Sequence, residues 1–291
     1  MGKTRPGRCA LCCQTKELQL SHIVPHLVGR KLIKTSPGNI RSTAEPNRTL
    51  QDIFKEYLLC SECEERFSAK ETWFANKVFT PYIDKKEKLF CYDERLTYFI
   101  VSVNWRTLYL DLEKFCQDPS FNRDRLMVLF RAEQVMRDYL LGKRNDLEAI
   151  QNHIFFLERV QSAPGLDATL NPSVIMHRTI SSYSVCDGNT LFTLSNLMGI
   201  LIVTFYSMDS SEIWVNTKVE LGNGTIKVEG QQMTSVVGNE IQFWMEQGAV
   251  AQKTLSEKQR KKIEEKLYAL GDDILKYPIF QDLFDDFDLE K

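Results

Sequence analysis

The sequence lacks a leader-like N-terminus, a long apolar run and any internal repeat, and each absence excludes a class of protein. Residues 1–6 contain no apolar stretch of the kind that a secretory signal has. The longest apolar run, near residues 197–206, is too short and too interrupted to span a bilayer. Neither a Gly-x-x-x-x-Gly-Lys loop nor a Gly-x-Ser-x-Gly elbow occurs. We therefore expect a cytoplasmic protein without a membrane partner.

Histidine is scarce, with four residues in 291, whereas cysteine is not, with eight. In a long chain without a leader, Cys-x-x-Cys pairs indicate a metal site more than disulfides. Cys9/Cys12 and Cys60/Cys63 form two such pairs, which together supply the four thiolates of a tetrahedral zinc site. Cys13 adjoins Cys12 and is an alternative ligand. Four thiolates leave no open coordination position, so we expect this zinc to be structural.

His22 lies in the segment Ser-His-Ile-Val-Pro, between the two cysteine pairs. A lone histidine is more often structural than catalytic, but this setting favours catalysis. Phosphodiester hydrolysis needs a base that activates water, a metal that stabilises the developing charge and cations that hold the backbone. An imidazole near its ordinary pKa suits the role of the base at neutral pH.

Basic residues surround this segment, although the whole chain has a net charge of -2. Residues 1–55 carry ten lysines and arginines against three acids, which favours a polyanionic partner. The alternative is that these cations only keep the surface soluble. The predicted phosphate contacts are Arg30, Lys31, Lys34, Arg41 and Arg48.

The predicted fold is α+β, with a zinc-bound unit over residues 1–85 and a larger helical and antiparallel-sheet unit over 86–291. In the first unit a cysteine knuckle, hairpin-like strands and a second knuckle that opens a helix follow one another, which is the order of a treble clef. A strand is predicted near residues 18–23, and Pro81 is expected to stop the helix after Cys63.

In the larger unit, residues 96–115 are predicted to be helical, with a strand as the alternative, and Gly142 is predicted to end a helix over 125–143. Strands are predicted over 154–160, 174–185, 191–206 and 213–228, with hairpin turns at residues 187–189 and 223–224. A helical region is expected from about residue 242, and an amphipathic helix over 254–270 is bounded by Ser256 and Gly271. The acidic residues 280–291 are expected to form a flexible tail or a docking segment.

The pattern Cys-x-x-Cys, His-Ile-x-Pro and Leu-Leu-Cys-x-x-Cys resembles the zinc-containing HNH, or His-Me finger, endonucleases over about residues 9–75. The resemblance implies a ββα element in which His22 is the general base, and a catalytic Mg²⁺ or Mn²⁺ beside a structural Zn²⁺. It also implies a nucleic-acid partner, with DNA favoured, and a role in bacterial anti-phage defence.

The sequence departs from the family pattern at three places. Ser21 stands where a metal-binding Asp or His is common, and Glu64 stands where a His follows the second knuckle. The middle Asn is missing at its usual spacing. A carboxylate suits a hard cation, so Glu64 is the predicted ligand of the catalytic metal, with Glu56 or Asp52 as reserve oxygens.

The leading hypothesis is therefore a metal-dependent endonuclease that the larger unit, a protein partner or self-association restrains. A second hypothesis is a non-catalytic zinc module that binds nucleic acid or protein. A third is an adaptor in which the zinc unit only scaffolds an assembly.

Overall fold

The computed structural model describes residues 4–290 and confirms the mixed α+β class. Its N-terminal part alternates short strands and helices. In chain order these are β1 (Thr4–Arg8), β2 (Thr15–His22), α1 (His26–Lys34), β3 (Ile40–Arg41), β4 (Thr49–Leu50), β5 (Lys55–Cys60) and α2 (Ser61–Phe74).

Strands β1, β2 and β5 form an antiparallel sheet with β2 in the centre, and α2 follows β5 directly. The predicted strand near residues 18–23 is therefore confirmed within β2. The last residue of β2, His22, lies opposite Lys55, the first residue of β5. The arrangement is a ββα element, with both cysteine pairs at its edge.

The helix that begins after Cys60 does not stop before Pro81, so that prediction is wrong. A π-helical turn over Ala75–Phe79 follows α2, and α3 (Thr80–Lys85) continues from it. Pro81 lies in the first turn of α3, where a residue without an N–H is tolerated. Lys86, with φ of 58°, ends the run in a left-handed conformation.

A helical pair follows β6 (Leu89–Tyr92). The first helix, α4 (Glu94–Gln117), confirms the helix predicted for residues 96–115 over the strand alternative. The second helix is α5 (Arg123–Leu140). Gly142 has φ of 73° just beyond α5, which confirms the predicted helix end.

The next elements are β7 (Gln151–Phe156), α6 (Pro172–Arg178), β8 (Ile180–Asp187), β9 (Thr190–Leu197), β10 (Ile200–Ser207), β11 (Ile213–Val215), β12 (Lys218–Val219), β13 (Gly224–Lys227) and β14 (Gln232–Thr234). Five of these strands form an antiparallel sheet in the order β12-β7-β10-β9-β8, which packs against α4. The strand pairs β11–β14 and β6–β13 are separate two-stranded sheets.

The predicted β structure over 191–206 is confirmed, as a hairpin of β9 and β10 that reverses at Met198 and Gly199, both with positive φ. Two other predictions for this region are wrong. The segment 174–185 begins as helix α6, because Pro172 favours the first turn of a helix and the β-branched residues after it do not prevent one. Residues 223–224 join strands of different sheets, whereas the turn at Gly188 does join the paired strands β8 and β9.

The C-terminal part contains α7 (Val237–Lys253), α8 (Glu257–Leu270), a 3-10 segment (Gly271–Lys276) and α9 (Pro278–Phe287). The acidic end is a docking segment within the chain, and the flexible-tail alternative is wrong. The Asp286 carboxylate is 1% exposed and accepts the amides of Ser173 and Val174, at 2.7 and 3.0 Å. The first amides of a helix have no partner within it, and this carboxylate accepts two of them at the start of α6. These hydrogen bonds hold α9 against α6.

The N-terminal and larger units share their apolar cores. One cluster joins Phe67 and Leu59 to Trp105 and Met136, and another joins Val28 and Phe74 to residues of α4 and the large sheet. Helix α4 is therefore part of the support of the ββα element. Among residues 4–290, no helix is long and apolar enough to cross a membrane.

Candidate active site and metal centre

The four predicted cysteines converge at the edge of the ββα element. Cys9 and Cys12 lie in the turn after β1, Cys60 ends β5, and Cys63 lies in the first turn of α2. Their Sγ atoms are 3.6–3.9 Å apart. A tetrahedral zinc with Zn–S bonds of about 2.3 Å needs sulfur separations of about 3.8 Å, so the cluster fits zinc without rearrangement.

The structure also decides between the two neighbouring cysteines. Cys13 has φ of 61°, and its Sγ lies 3.3 Å from Arg137 Nη1, outside the four-cysteine group. Cys12 Sγ, in contrast, is 3.9 Å from Cys60 Sγ. Cys12 is therefore the fourth member of the cluster.

The buried thiols of this cluster perturb one another. The hydrogen bond between Cys9 and Cys63 lowers the pKa of Cys9 to about 4, and the same bond, together with burial, raises the pKa of Cys63. The Cys60 amide also donates to Cys9 Sγ, at 3.4 Å. The protein groups alone favour the thiolate of Cys9 over that of Cys63, whereas a dication would stabilise the thiolates that bind it.

His22 is held by Asp52, from the loop before β5. The ring Nε2 lies 3.2 Å from Asp52 Oδ1 and 3.3 Å from Oδ2. Lys55 pairs with the same carboxylate, and the Ile53 amide donates to it at 2.9 Å. Asp52, which the sequence suggested only as a reserve metal ligand, is thus the direct partner of the predicted base.

The pKa values of this pair keep His22 neutral and Asp52 charged. Burial lowers the pKa of His22, and the hydrogen bond and charge of Asp52 offset only part of that effect. Burial opposes ionisation of Asp52, but hydrogen bonds from Lys55, the Ile53 amide and His22 lower its pKa to about 2. At neutral pH the ring can therefore accept a proton beside a permanent negative charge.

His26, the first residue of α1, adds a second imidazole. Its ring stacks on that of His22, with centroids 4.4 Å apart and planes 13° apart, and its Nε2 is 4.0 Å from Asp52 Oδ1. Ligand atoms of His22, His26 and Asp52 all lie within 4.8 Å of one another. Two imidazoles and a carboxylate suit Mn²⁺ or a later transition metal more than Mg²⁺.

Glu64 lies beside Ser21 rather than within that group. Burial raises the pKa of its carboxyl, and the hydrogen bond with Ser21 and the charge of Arg106 offset part of the effect. Its Oε1 is buried without a hydrogen-bond partner among residues 4–290. Such an oxygen would be satisfied by a bound cation or by a proton. The role of Glu64 as a metal ligand stays a prediction.

Arg106 connects the site to α4 and was missed in the sequence. Its Nη1 donates to the carbonyl oxygen of His22 and its Nη2 to Glu71 Oε1, both at 2.8 Å. The side chain is almost fully buried and lies over the Phe67 ring. The available signal was that Arg106 is the single charged residue in the stretch 96–110 of α4, because a buried guanidinium requires acceptors.

The predicted phosphate contacts have different surroundings. Arg30 and Lys34 are exposed on α1 and have no ion-pair partner within residues 4–290, whereas Lys31 pairs with Asp84. Arg48 pairs with Glu45 at 3.2 Å. Arg41 donates to the Pro46 carbonyl at 2.8 Å and to Gln259 of α8 at 3.0 Å.

Comparisons of the chain with protein-family models, with curated proteins and with solved structures gave no match. The function is therefore inferred from the geometry of the site.

Proposed function

We propose that the protein is a metal-dependent endonuclease that hydrolyses phosphodiester bonds of nucleic acid, with DNA favoured. The observation that carries this proposal is the Asp52–His22 pair at the end of β2, inside a ββα element that four cysteines hold together. A neutral imidazole oriented by a half-buried carboxylate is the usual arrangement of a general base.

Asp52 determines which ring nitrogen of His22 can act. Because the carboxylate accepts the proton on Nε2, the lone pair lies on Nδ1, which has no partner among the described residues. In the proposed reaction, Nδ1 takes a proton from a water molecule whose oxygen bonds to phosphorus. The P–O bond to one ester oxygen of the phosphodiester breaks, and that leaving oxygen takes a proton from solvent water. Asp52 then stabilises the imidazolium that forms. Arg106 fixes the backbone of His22 during this step.

The four cysteines would hold a structural Zn²⁺, and the unpartnered oxygen of Glu64 fits a catalytic Mg²⁺ or Mn²⁺. Such a cation supplies stabilisation of the negative charge that develops on the phosphoryl oxygens. Cleavage is tested with zinc-replete protein on supercoiled plasmid and on circular single-stranded DNA, each with Mg²⁺, with Mn²⁺ and without either. Cleavage of either substrate that requires the added metal is expected, and retardation of both on a gel without strand cleavage would contradict a nuclease.

A non-catalytic zinc module is the second candidate function. Ser21, a poor metal ligand, lies next to His22, and Lys55 already neutralises Asp52. This candidate predicts salt-sensitive binding that is independent of Mg²⁺ and without strand cleavage.

Removing the charge of Asp52 should change the pH dependence of cleavage. His22 must be neutral to act, and burial holds its pKa below the ordinary value of about 6.5. The value of kcat/KM should therefore fall as the pH drops through this lowered pKa. Asp52 raises that pKa, so Asp52→Asn should move the acid limb to lower pH and reduce the plateau by more than about tenfold. Initial rates from about pH 4.5 to 8 measure both effects.

Glu45→Gln is the matched control, because Glu45 is an exposed carboxylate in the same N-terminal part and its one ion-pair partner among the described residues is Arg48. It should leave the profile unchanged. An acid limb that moves to higher pH in Asp52→Asn would contradict the assigned pair.

His26→Ala distinguishes a base from a metal ligand. If His22 is the base, His26 only stacks on its ring, and its loss should lower kcat by less than about tenfold with Mg²⁺. If His22, His26 and Asp52 hold the metal, the same change should abolish activity and the wild type should prefer Mn²⁺ to Mg²⁺. Rates of both proteins across a titration of each metal separate the two roles.

A further inference from the structure

Two adjoining cavities form one groove between the N-terminal part and the C-terminal helices. The first, of about 490 Å³, lies between the segment after β2, β8 and α7, and the second, of about 550 Å³, lies between the loop before β4 and α8. Leu32, Ile40, Arg41 and Arg178 line both cavities, so the groove is continuous past the two arginines. Each cavity has the size that holds one small organic ligand.

The charge of the groove has one sign. Arg41 and Arg178 lie at its middle and Lys262 and Lys266 at its far end, and no Asp or Glu among the described residues lines either cavity. Arg178 is paired with Asp282, whereas Arg41 donates, within residues 4–290, only to the Pro46 carbonyl and to Gln259. The groove therefore complements an anion that extends along it.

Aromatic rings line the near end of the groove. Phe54 is 63% exposed and Phe243 is 47% exposed, although both are large apolar side chains at a cavity wall. Trp244 donates to the Tyr183 hydroxyl at 2.6 Å, and Tyr183 donates to Glu240 at 2.7 Å, which fixes both rings. Exposed rings beside a cationic path are the surface on which unpaired bases stack.

The near end also adjoins the candidate active site. Ile23 and Ile53, the residues that follow His22 and Asp52, line the first cavity together with Phe54. The Ile23 amide donates to the Phe54 carbonyl at 3.3 Å. A polymer seated in the groove would thus contact the residues that follow His22 and Asp52 in the chain.

We propose that this groove binds a single strand of nucleic acid, with bases against Phe54 and Phe243 and phosphates along Arg41, Lys262 and Lys266. The inference rests on the proposed function, because it assigns the strandedness of that substrate. A duplex hides the faces of its bases within the stack, whereas a single strand presents them to aromatic side chains. The groove therefore favours single-stranded over double-stranded nucleic acid.

The test is fluorescence anisotropy of the full-length protein without added Mg²⁺, so that cleavage does not enter. The probes are a labelled oligothymidylate of about 12 nucleotides, the same length of oligouridylate and a duplex of equal length. One of the single strands should bind at least about tenfold more tightly than the duplex, and the stronger one identifies the sugar. Duplex binding that equals or exceeds both would overturn the proposal.

The variant Lys262→Gln/Lys266→Gln should weaken single-strand binding by about tenfold. It should also reduce the slope of log K against log salt by about 1.4, since each phosphate contact contributes about 0.7. Lys258→Gln/Lys261→Gln is the matched control, because it removes the same charge from exposed positions of α8 that do not line the groove. Equal losses in the two double variants would show a nonspecific charge effect and overturn the assignment.

Phe243→Ala tests the stacking surface separately, with an expected loss of about fivefold or more at unchanged salt slope. Unchanged affinity would overturn the placement of bases there. These experiments test the proposed groove and the proposed nuclease activity independently. Binding without any cleavage would contradict the proposed function alone, and cleavage of duplex without single-strand preference would contradict the groove alone.

Discussion

Replacing His22 with alanine should lower phosphodiester cleavage by about 10²- to 10⁴-fold, the range that a positioned general base contributes. The fold should persist, because the backbone contact of this residue with α4 is retained in the variant. Arg106 binds the carbonyl oxygen of His22, which alanine retains, and Asp52 keeps its bonds to Lys55 and the Ile53 amide. Plasmid nicking, zinc content and thermal unfolding of the variant measure these expectations together.

Two further measurements separate a base from a structural residue at this position. His22→Gln keeps a polar side chain that cannot accept a proton at neutral pH, and it should be as inactive as the alanine variant. Added imidazole should partly restore cleavage in His22→Ala, because the small ring can occupy the space that truncation creates. Wild-type cleavage rates in either variant would exclude the proposed mechanism.

Replacing Cys60 with serine should remove the metal and unfold the N-terminal part of the chain. Apparent binding free energies of structural zinc sites are about 10–16 kcal/mol, which is comparable to the whole stability of a domain. Cys60 is buried and shares an apolar cluster with Leu59, Phe67 and Trp105. Loss of the metal should therefore expose the face of α4 that supports the site, and the protein should aggregate.

The matched control is Cys116→Ser, since Cys116 is exposed and lies outside the four-cysteine group. It should keep one zinc per chain and the melting temperature of the wild type. Zinc is quantified by inductively coupled plasma mass spectrometry, and unfolding is followed by circular dichroism. Full zinc content and an unchanged melting temperature in Cys60→Ser would rule out a structural metal at this cluster.

The local elements of the N-terminal part could be predicted well from the sequence, because short-range patterns determine them. Spacing alone selected Cys9, Cys12, Cys60 and Cys63, and the structure brings their sulfur atoms together. The strand that ends at His22 follows from an apolar stretch between polar ones. The alternative ligand Cys13 could not be excluded in this way, since adjacent residues differ only in the direction of their side chains.

The errors lie where tertiary contacts override local preference. Residues 174–178 are helical although they include β-branched side chains. The amides of Ser173 and Val174, at the start of this helix, donate to Asp286, which lies more than a hundred positions away in the chain. The acidic end of the chain is ordered by the same contact. No local pattern contains information about such a distant partner.

The sequence by itself determined the fold class, the cysteine cluster and the position of His22 at the end of a strand. Only the tertiary structure decided what surrounds that histidine: Asp52 on its ring, Arg106 on its carbonyl oxygen and Glu64 on the side of Ser21. The reason is physical. Spacing in sequence specifies secondary structure and short metal knuckles, whereas the pKa of a base depends on charges and burial that distant segments supply.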